Sequence, residues 1–420
     1  MKPKILTTLT TYSGKLFVAD VIAGITVAMV ALPLSIAIAI ASGAPPAAGL
    51  VTAVIGGLFI SALGGSRVQI GGPTGAFIVV VYGVIQQFGF DGLLLATFMA
   101  GIILLMGGLL KAGRLIALIP EAVIEGFTIG IAAIIAVSQL KDLLGETVAK
   151  IPADLVHILP ALWSGRGSVN PAALAIGSSA ILLIMVLNRF AARLPGSIIA
   201  IAIASAAVAL LALPVETLHS RFGSLPNGLP MISLPPISVA RISQLLPSAF
   251  VIAFLAAVES LLSAMVADRM IGGAHRSNAE LLAQGAANIA SPLFGGLPAT
   301  GALARTATNV RAGGRTPVAG IVHAGTILLV MVAAAPLAGY LAMPALAGLL
   351  IVTAWVMSEP ARWPQRLKAP PADRFLLFLT FGLTTLSNLT VAIAVGTAVG
   401  LAQRLLRRDT PPAEWLPPNR

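Results

Sequence analysis

Gly71-Gly72-Pro73-Thr74-Gly75-Ala76-Phe77 has an echo later in the chain, Gly295-Gly296-Leu297-Pro298-Ala299-Thr300-Gly301-Ala302. Each reads Gly-Gly, then Pro, then Thr-Gly-Ala, and each opens a short apolar run, Thr74 to about Gln87 and Thr300 to about Arg311. Helices of roughly 12–14 residues are about 18–21 Å long at 1.5 Å per residue. A bilayer core of about 30 Å needs roughly 20 residues to cross. Neither run can span alone, so each is expected to begin near the middle of a membrane. Irregular backbone at that depth is tolerated only where it lines a cavity or is buried in protein. Gly and Pro interruptions at matching places in two halves point to a substrate site.

The rest of the chain supplies the membrane. Of its 420 residues 57% are hydrophobic and 10% charged, with mean hydropathy +0.97, against about 25% charged residues in a soluble domain. Cysteine is absent, which excludes disulfides, thiolate nucleophiles and Cys-based metal sites. The four histidines (157, 219, 275 and 323) lack ligand spacing. The net charge of +11 reads as topology signalling rather than nucleic-acid binding. Lys2, Lys4 and Lys15 precede an apolar stretch ending in a signal-peptide-like Ala39-Ile40-Ala41. That stretch, Leu16 to Ala41, is longer than a cleaved core of about 7–15 residues, so it reads as a retained first span.

Apolar segments fall at about 16–41, 46–63, 74–87, 92–110, 116–138, 171–188, 195–212, 245–267, 279–292, 300–311, 317–335, 341–357, 373–387 and 389–406. The expectation is an all-α polytopic membrane protein of fourteen segments, with both termini in the cytoplasm of an inner-membrane topology. In that orientation Lys2, Lys4, Lys15, Arg67, Lys111, Arg114 and most later basic residues face inward. Only Lys141, Lys150, Arg166, Arg221 and Arg241 face outward. Two polar connections, 139–170 and 213–244, read as outer loops with room for short surface helices. The Asn388-Leu389-Thr390 sequon sits between two apolar runs and carries no meaning there. Thr74 and Thr300, and the segments from Leu16 and Leu245, stand at similar offsets. Seven segments separate the two sets, and an odd number inverts the second half relative to the first. Segments 3 and 10 then start head to head at the midplane, entered through extended pieces expected at Ser66–Ile70 and Ala290–Phe294.

Two facing helix starts, each carrying partial positive charge and unpaired N–H groups, make an anion site. Gly75 and Gly301 allow a ligand close to the backbone, and Thr74 and Thr300 can cap the helices or bind the ligand. Arg305, about 7–8 Å along the tenth helix from Thr300, is a charge that marks function by default. Its bland alternatives are snorkelling to the cytoplasmic surface or pairing with an acid. Glu259 lies mid-segment in Phe250-Val-Ile-Ala-Phe-Leu-Ala-Ala-Val-Glu-Ser-Leu-Leu-Ser, with Ser263 one turn on. It is read as carrying a proton, holding sodium, or pairing with Arg305. Asp268, beside Arg269, reads as a solvated helix end.

Four stretches, Ala31–Gly43, Gly64–Ala76, Glu259–Asp268 and Gly295–Arg315, resemble the SulP anion transporters, relatives of solute carrier family 26. The resemblance covers nearly the whole chain. It implies a core domain (1–115 and 241–336, segments 1–4 and 8–11) moving against a gate domain (116–240 and 337–409). It also implies a cytoplasmic tail (410–420) and a homodimer in the lipid bilayer. The substrate would sit at Gly75, Ala76 and Phe77 on one side and Thr300, Gly301, Ala302 and Arg305 on the other. Glu259, with Ser263, would be the coupling-ion position. Sodium-using members resemble an Asp-Ser-Leu-Leu-Thr pattern; Glu-Ser-Leu-Leu-Ser here tilts towards protons, with sodium as the alternative and no other cofactor. Two departures stand out. Leu34 replaces a common Gln, removing a polar substrate contact. The chain ends at Arg420 without the STAS domain that usually closes the family, so the expectation is either a bacterial member that naturally lacks that domain or a chain from which it has been cut.

The functional expectation is secondary active transport of a small anion: sulfate, a C4-dicarboxylate such as fumarate or succinate, or bicarbonate. An elevator-like or rocking movement of the core domain would carry it by proton symport. A nucleobase permease of the same fold is the nearest rival, and Arg305 argues against it. A passive anion channel or uniporter is the alternative of another class. An enzyme lacks a Ser-His pair, metal triad or paired carboxylates, and ATP-driven pumping lacks a phosphate-binding loop.

Overall fold

The computed structural model describes residues 2–114, 120–147, 155–191, 194–387 and 389–406. It is 78% helical. The main helices are α1 (Gly14–Ala41), α2 (Pro46–Leu63), α3 (Ile78–Leu109), α4 (Glu121–Ser138), α5 (Pro171–Phe190) and α6 (Gly196–Leu210). They continue with α7 (Val239–Ile271), α8 (Ser277–Leu293), α9 (Leu303–Arg311), α10 (Val318–Ala333), α11 (Met343–Met357), α12 (Pro371–Leu386) and α13 (Leu389–Leu406). Seven stretches among the described residues are long and apolar enough to cross a membrane. Large apolar side chains such as Phe17, Ile22, Leu182, Leu210, Trp355 and Phe378 stand exposed on the outside, where lipid would cover them.

Local chemistry sets the boundaries. Ser13 opens α1 by accepting from Leu16 N, Asn170 opens α5 with Pro171 behind it, and Ser238 opens α7. α7 closes on Gly272 in the left-handed conformation. Asp20, buried in α1, accepts from the Arg315 and Thr316 amides just before α10. The polar connections at 139–170 and 213–244 carry short helices, Leu140–Leu144, Leu155–Gly165 and Leu218–Phe222.

Packing sorts the helices into two sets. α3 lies against α8 and α7, α1 against α2 and α10, and α2 against α8 and α10. Separately, α4 packs on α12 and α11, α11 on α5, α12 on α13, and α5 on α6. Small residues let backbones close in: a side-chain carbon on Gly101 of α3 would stand 2.7 Å from Ile289 N and 2.8 Å from Gly285 O of α8.

Between the helices of the first set run two short strands, β1 (Gly71–Gly72) and β2 (Thr300–Gly301). They pair antiparallel, Gly71 with Gly301 and Gly72 with Thr300. The two Gly-Pro-Thr landmarks thus meet as one ladder in the protein interior, which satisfies backbone that no helix could.

Within α3 the backbone leaves helical geometry at Gly89 (φ 72°, ψ 177°), a conformation only glycine adopts cheaply, so two helices meet there, between the runs expected as segments 3 and 4. Two expectations need correction. Ala290–Phe294 is the end of α8 rather than an extended piece; the extended residues come after it, up to Gly301. The tenth helix starts at Leu303, so Thr300 is a strand residue and Arg305 lies in the first helical turn. Lys150, Arg193, the sequon at Asn388 and the tail 410–420 fall outside the described residues.

Candidate anion-binding centre

After β1 the chain passes Pro73 and Thr74 into a 3-10 turn, Gly75–Phe77, that feeds α3. After β2, Ala302 hands the chain to α9. Neither helix start is capped by a side chain. Thr74 Oγ1 donates to Glu259 Oε2 (2.8 Å), and Thr300 Oγ1 donates to the Ala256 carbonyl (3.0 Å), so neither threonine caps. The uncapped amides keep their partial positive charge for something else.

Arg305 is 2% exposed. Its Nη2 donates to Ser35 Oγ of α1 at 3.0 Å, while Nε and Nη1 have no partner. It forms no ion pair with Glu259 or any other described carboxylate, and it does not reach the surface. Both bland alternatives are therefore set aside. The guanidinium fits because Gly72 has no side chain: a carbon there would stand 2.1 Å from Nη1. Gly301 plays the same part for Gln69, whose Nε2 occupies the place of a side-chain carbon.

Glu259 lies on α7, its carboxylate half-buried. Beside its single hydroxyl donor it lines a pocket of about 40 Å³ with Phe127 and Thr128 of α4, Thr380 of α12 and Thr397 of α13. Glu259 thus stands where the two helix sets meet. Ser263 turns elsewhere, donating to Thr306 Oγ1 of α9 at 3.2 Å. Gly75 faces Met357 of α11, whose sulfur would lie 2.8 Å from a carbon at that position. Ala76, Phe77 and Ala302 are buried, and the Ala302 amide donates to the Ile70 carbonyl. Asp268 holds His275 through its backbone amide and Nδ1, both at 2.7 Å, rather than standing free in solvent.

A polar scaffold under the strands escaped the sequence reading. Glu280 of α8, fully buried, accepts from Gly65 N, Ser66 N, Ser260 Oγ and Gln284 Nε2. Gln69 Nε2 donates to the Ser260 carbonyl and hydroxyl. Asn288 brackets Ala299, accepting from its amide and donating to its carbonyl. Asn309 donates to the Val68 carbonyl, and Thr52 accepts from Leu297 N. The signal was present: Glu280, Gln284 and Asn288 recur every fourth residue, one polar face on an otherwise apolar segment. Met357 carried no such signal.

A mostly apolar helical body with broken, hydrogen-bonded backbone at its centre defines an integral, multi-pass membrane transporter. The comparisons agree on that class, and the relatives are transporters rather than enzymes. A family model described as the sulfate permease family matches residues 17–380, and the chain belongs to that family. It is 43% identical over 387 residues to a putative sulfate transporter, YvdB, of Bacillus subtilis, covering 92% of this chain and 73% of that protein. It is 32% identical to the bicarbonate transporter BicA of a Picosynechococcus species, over 90% of this chain and 69% of that one. Among solved structures, the transmembrane domain of a cyanobacterium bicarbonate transporter BicA superimposes with a TM-score of 0.80 at 30% identity. That match covers 93% of this chain and 98% of the other. SLC26A9 matches with a TM-score of 0.87 at 19% identity, over 96% of this chain and 68% of the other, which speaks for the fold alone.

Proposed function

We propose that this chain is a secondary active transporter of a small oxyanion, sulfate first, with bicarbonate and a C4-dicarboxylate such as fumarate or succinate as alternatives, driven by proton symport. The observation that carries the reading is Arg305, a buried guanidinium with two unused nitrogens beside two uncapped helix starts. A lone buried charge is costly, and an anion between the helix starts relieves that cost while satisfying their amides. The substrate-binding residues are then Gly75, Ala76, Phe77, Thr300, Gly301, Ala302 and Arg305. The putative sulfate transporter at 43% identity supports sulfate, and the BicA relatives support bicarbonate. Arg305 argues against a nucleobase.

Glu259 is the coupling group. An empty centre with Arg305 charged and Glu259 ionised carries no net charge. Binding a monoanion and one proton restores neutrality, which keeps the cost of moving the loaded centre through the membrane low. A dianion needs two protons for the same balance, or it moves net charge. Sodium at Glu259 is the alternative. Ser263 is removed from the coupling position, because its hydroxyl belongs to Thr306.

The two packing sets support a core domain (α1–α3 and α7–α10) that slides on a gate domain (α4–α6 and α11–α13), with Glu259 and the Gly75–Met357 contact on their boundary. Seven-segment inverted repeats, head-to-head half-helices, cytoplasmic termini in an inner membrane and a homodimer complete the proposal. The test is uptake of sulfate, bicarbonate and fumarate by purified protein in liposomes with a proton gradient, a sodium gradient or neither. Accumulation of one anion under a proton gradient alone is the expected outcome. Downhill flux indifferent to both gradients would make the chain a uniporter or channel and leave Glu259 structural.

A further inference from the structure

His323 of α10 is fully buried, and neither ring nitrogen has a hydrogen-bond partner. The mechanism above makes no use of it. It lies close to Arg305, another buried group with idle nitrogens. A side-chain carbon on Gly57 of α2 would stand 3.6 Å from His323 Nδ1 and 3.2 Å from the Gly71 carbonyl oxygen. One turn earlier on the same helix, Ala53 borders Gly72, whose missing side chain makes room for Arg305 Nη1. Imidazole and guanidinium therefore flank strand β1 along one face of α2. The coincidence is chemically specific. A guanidinium has only donors, and a neutral imidazole has one donor and one acceptor. Polar groups buried without partners are rare, and a buried water with two to four polar neighbours commonly satisfies them.

We infer that His323 is a positioning residue for Arg305: its unprotonated ring nitrogen accepts from the guanidinium through one buried water that the Gly71 carbonyl also holds, and so keeps Arg305 aimed at the anion. Ser35 steadies one end of the guanidinium and His323 the other. This rests on the reading of Arg305 as an anion-binding group, and the experiment separates the two.

Sulfate affinity and uptake kinetics are measured on the full chain in liposomes for His323→Leu, His323→Gln, Arg305→Ala and the double variant His323→Leu/Arg305→Ala. Loss of one hydrogen bond to a charged group predicts about a tenfold rise in KM for His323→Leu, with kcat nearly unchanged. His323→Gln, which keeps a donor and an acceptor, restores most of the affinity. In the Arg305→Ala background His323→Leu adds nothing. A merely structural histidine would lower the amount of folded protein and leave KM alone. Unchanged KM in His323→Leu, no rescue by Gln, or equal effects in both backgrounds overturns the inference while Arg305 keeps its role. Full affinity in Arg305→Ala overturns the anion reading itself. Should His323→Leu fail to fold, nitrogen NMR of histidine-labelled protein decides: the His323 ring resonances must move in Arg305→Ala, and their constancy refutes the coupling.

Discussion

Two arginines are buried among the described residues, and they are treated in opposite ways. Arg366, in the short helix Trp363–Lys368, is enclosed by acids and carbonyls: Glu125 at 2.9 Å, Glu359 at 2.6 Å and the Ser358 carbonyl at 2.7 Å. Its neighbour Arg362 ties Glu121 and Glu359 into the same cluster. Arg305 has one serine hydroxyl. The carboxylates repeat the contrast, since Glu280 accepts from four donors whereas Glu259 has one donor and a pocket. A charge closed by its own chain holds structure together and has nothing left to offer a ligand. A charge left open is costly to the fold and free to work. Arg366 and Glu280 belong to the first kind, Arg305 and Glu259 to the second.

The contrast breaks most visibly at Glu280. Glu280→Leu strands four buried donors beneath the crossover of the strands, and it is expected to destabilise the protein by about 3–5 kcal/mol. Thermal unfolding in detergent reads this, and sulfate affinity per folded molecule should change little. Arg305→Ala should do the reverse. Sulfate binding is expected to weaken by about a hundredfold or more, as when one partner of a buried charged contact is removed. The melting temperature should hold or rise, because an uncompensated charge has left the core. A large loss of stability in Arg305→Ala, with affinity intact, would place Arg305 among the closed groups.

Glu259→Gln tests the second open group. Sulfate binding should persist, while accumulation driven by a proton gradient should fall to the downhill limit, because an amide cannot carry the proton. Gradient-driven uptake at the normal level would reduce Glu259 to a packing residue with a hydroxyl partner.

How much of this was legible beforehand follows from the kind of signal each part leaves. Long apolar runs announce themselves by composition, and α1, α2 and α11 lie close to the segments expected from them. The two Gly-Pro-Thr landmarks announced broken backbone, because glycine and proline are conspicuous in apolar surroundings. Their pairing as a two-residue ladder was not legible, since strands so short leave no alternation. The same limit hid the start of α9, which moved Arg305 into its first turn. The break at Gly89 was legible too, because Gly89 and Asp91 interrupt an otherwise apolar run. Arg305 and Glu259 stood out as charges in apolar sequence, yet where their side chains point depended on Gly72 and Thr74 from the other half of the chain. Met357 facing Gly75 was out of reach, since a methionine on an apolar helix looks like every other core residue.

Two glycines carry the comparison to its finest scale. Gly101 permits the crossing of α3 and α8, where a side-chain carbon would meet backbone atoms of Gly285, Asn288 and Ile289. Gly72, with φ 149°, permits the guanidinium of Arg305. Gly101→Ala forces two packed helices apart and should cost about 1–3 kcal/mol of stability, with sulfate affinity per folded molecule preserved. Gly72→Ala meets the mobile end of a side chain rather than a backbone. It should therefore cost less stability, about 1 kcal/mol for the strained conformation, while moving the guanidinium aside and lowering sulfate affinity several-fold. Equal effects of the two alanines on affinity would mean that the position of Arg305 is set by the whole helix set and not by the notch at Gly72. Opposite effects would show the open charge to be placed locally, by the absence of a single carbon atom.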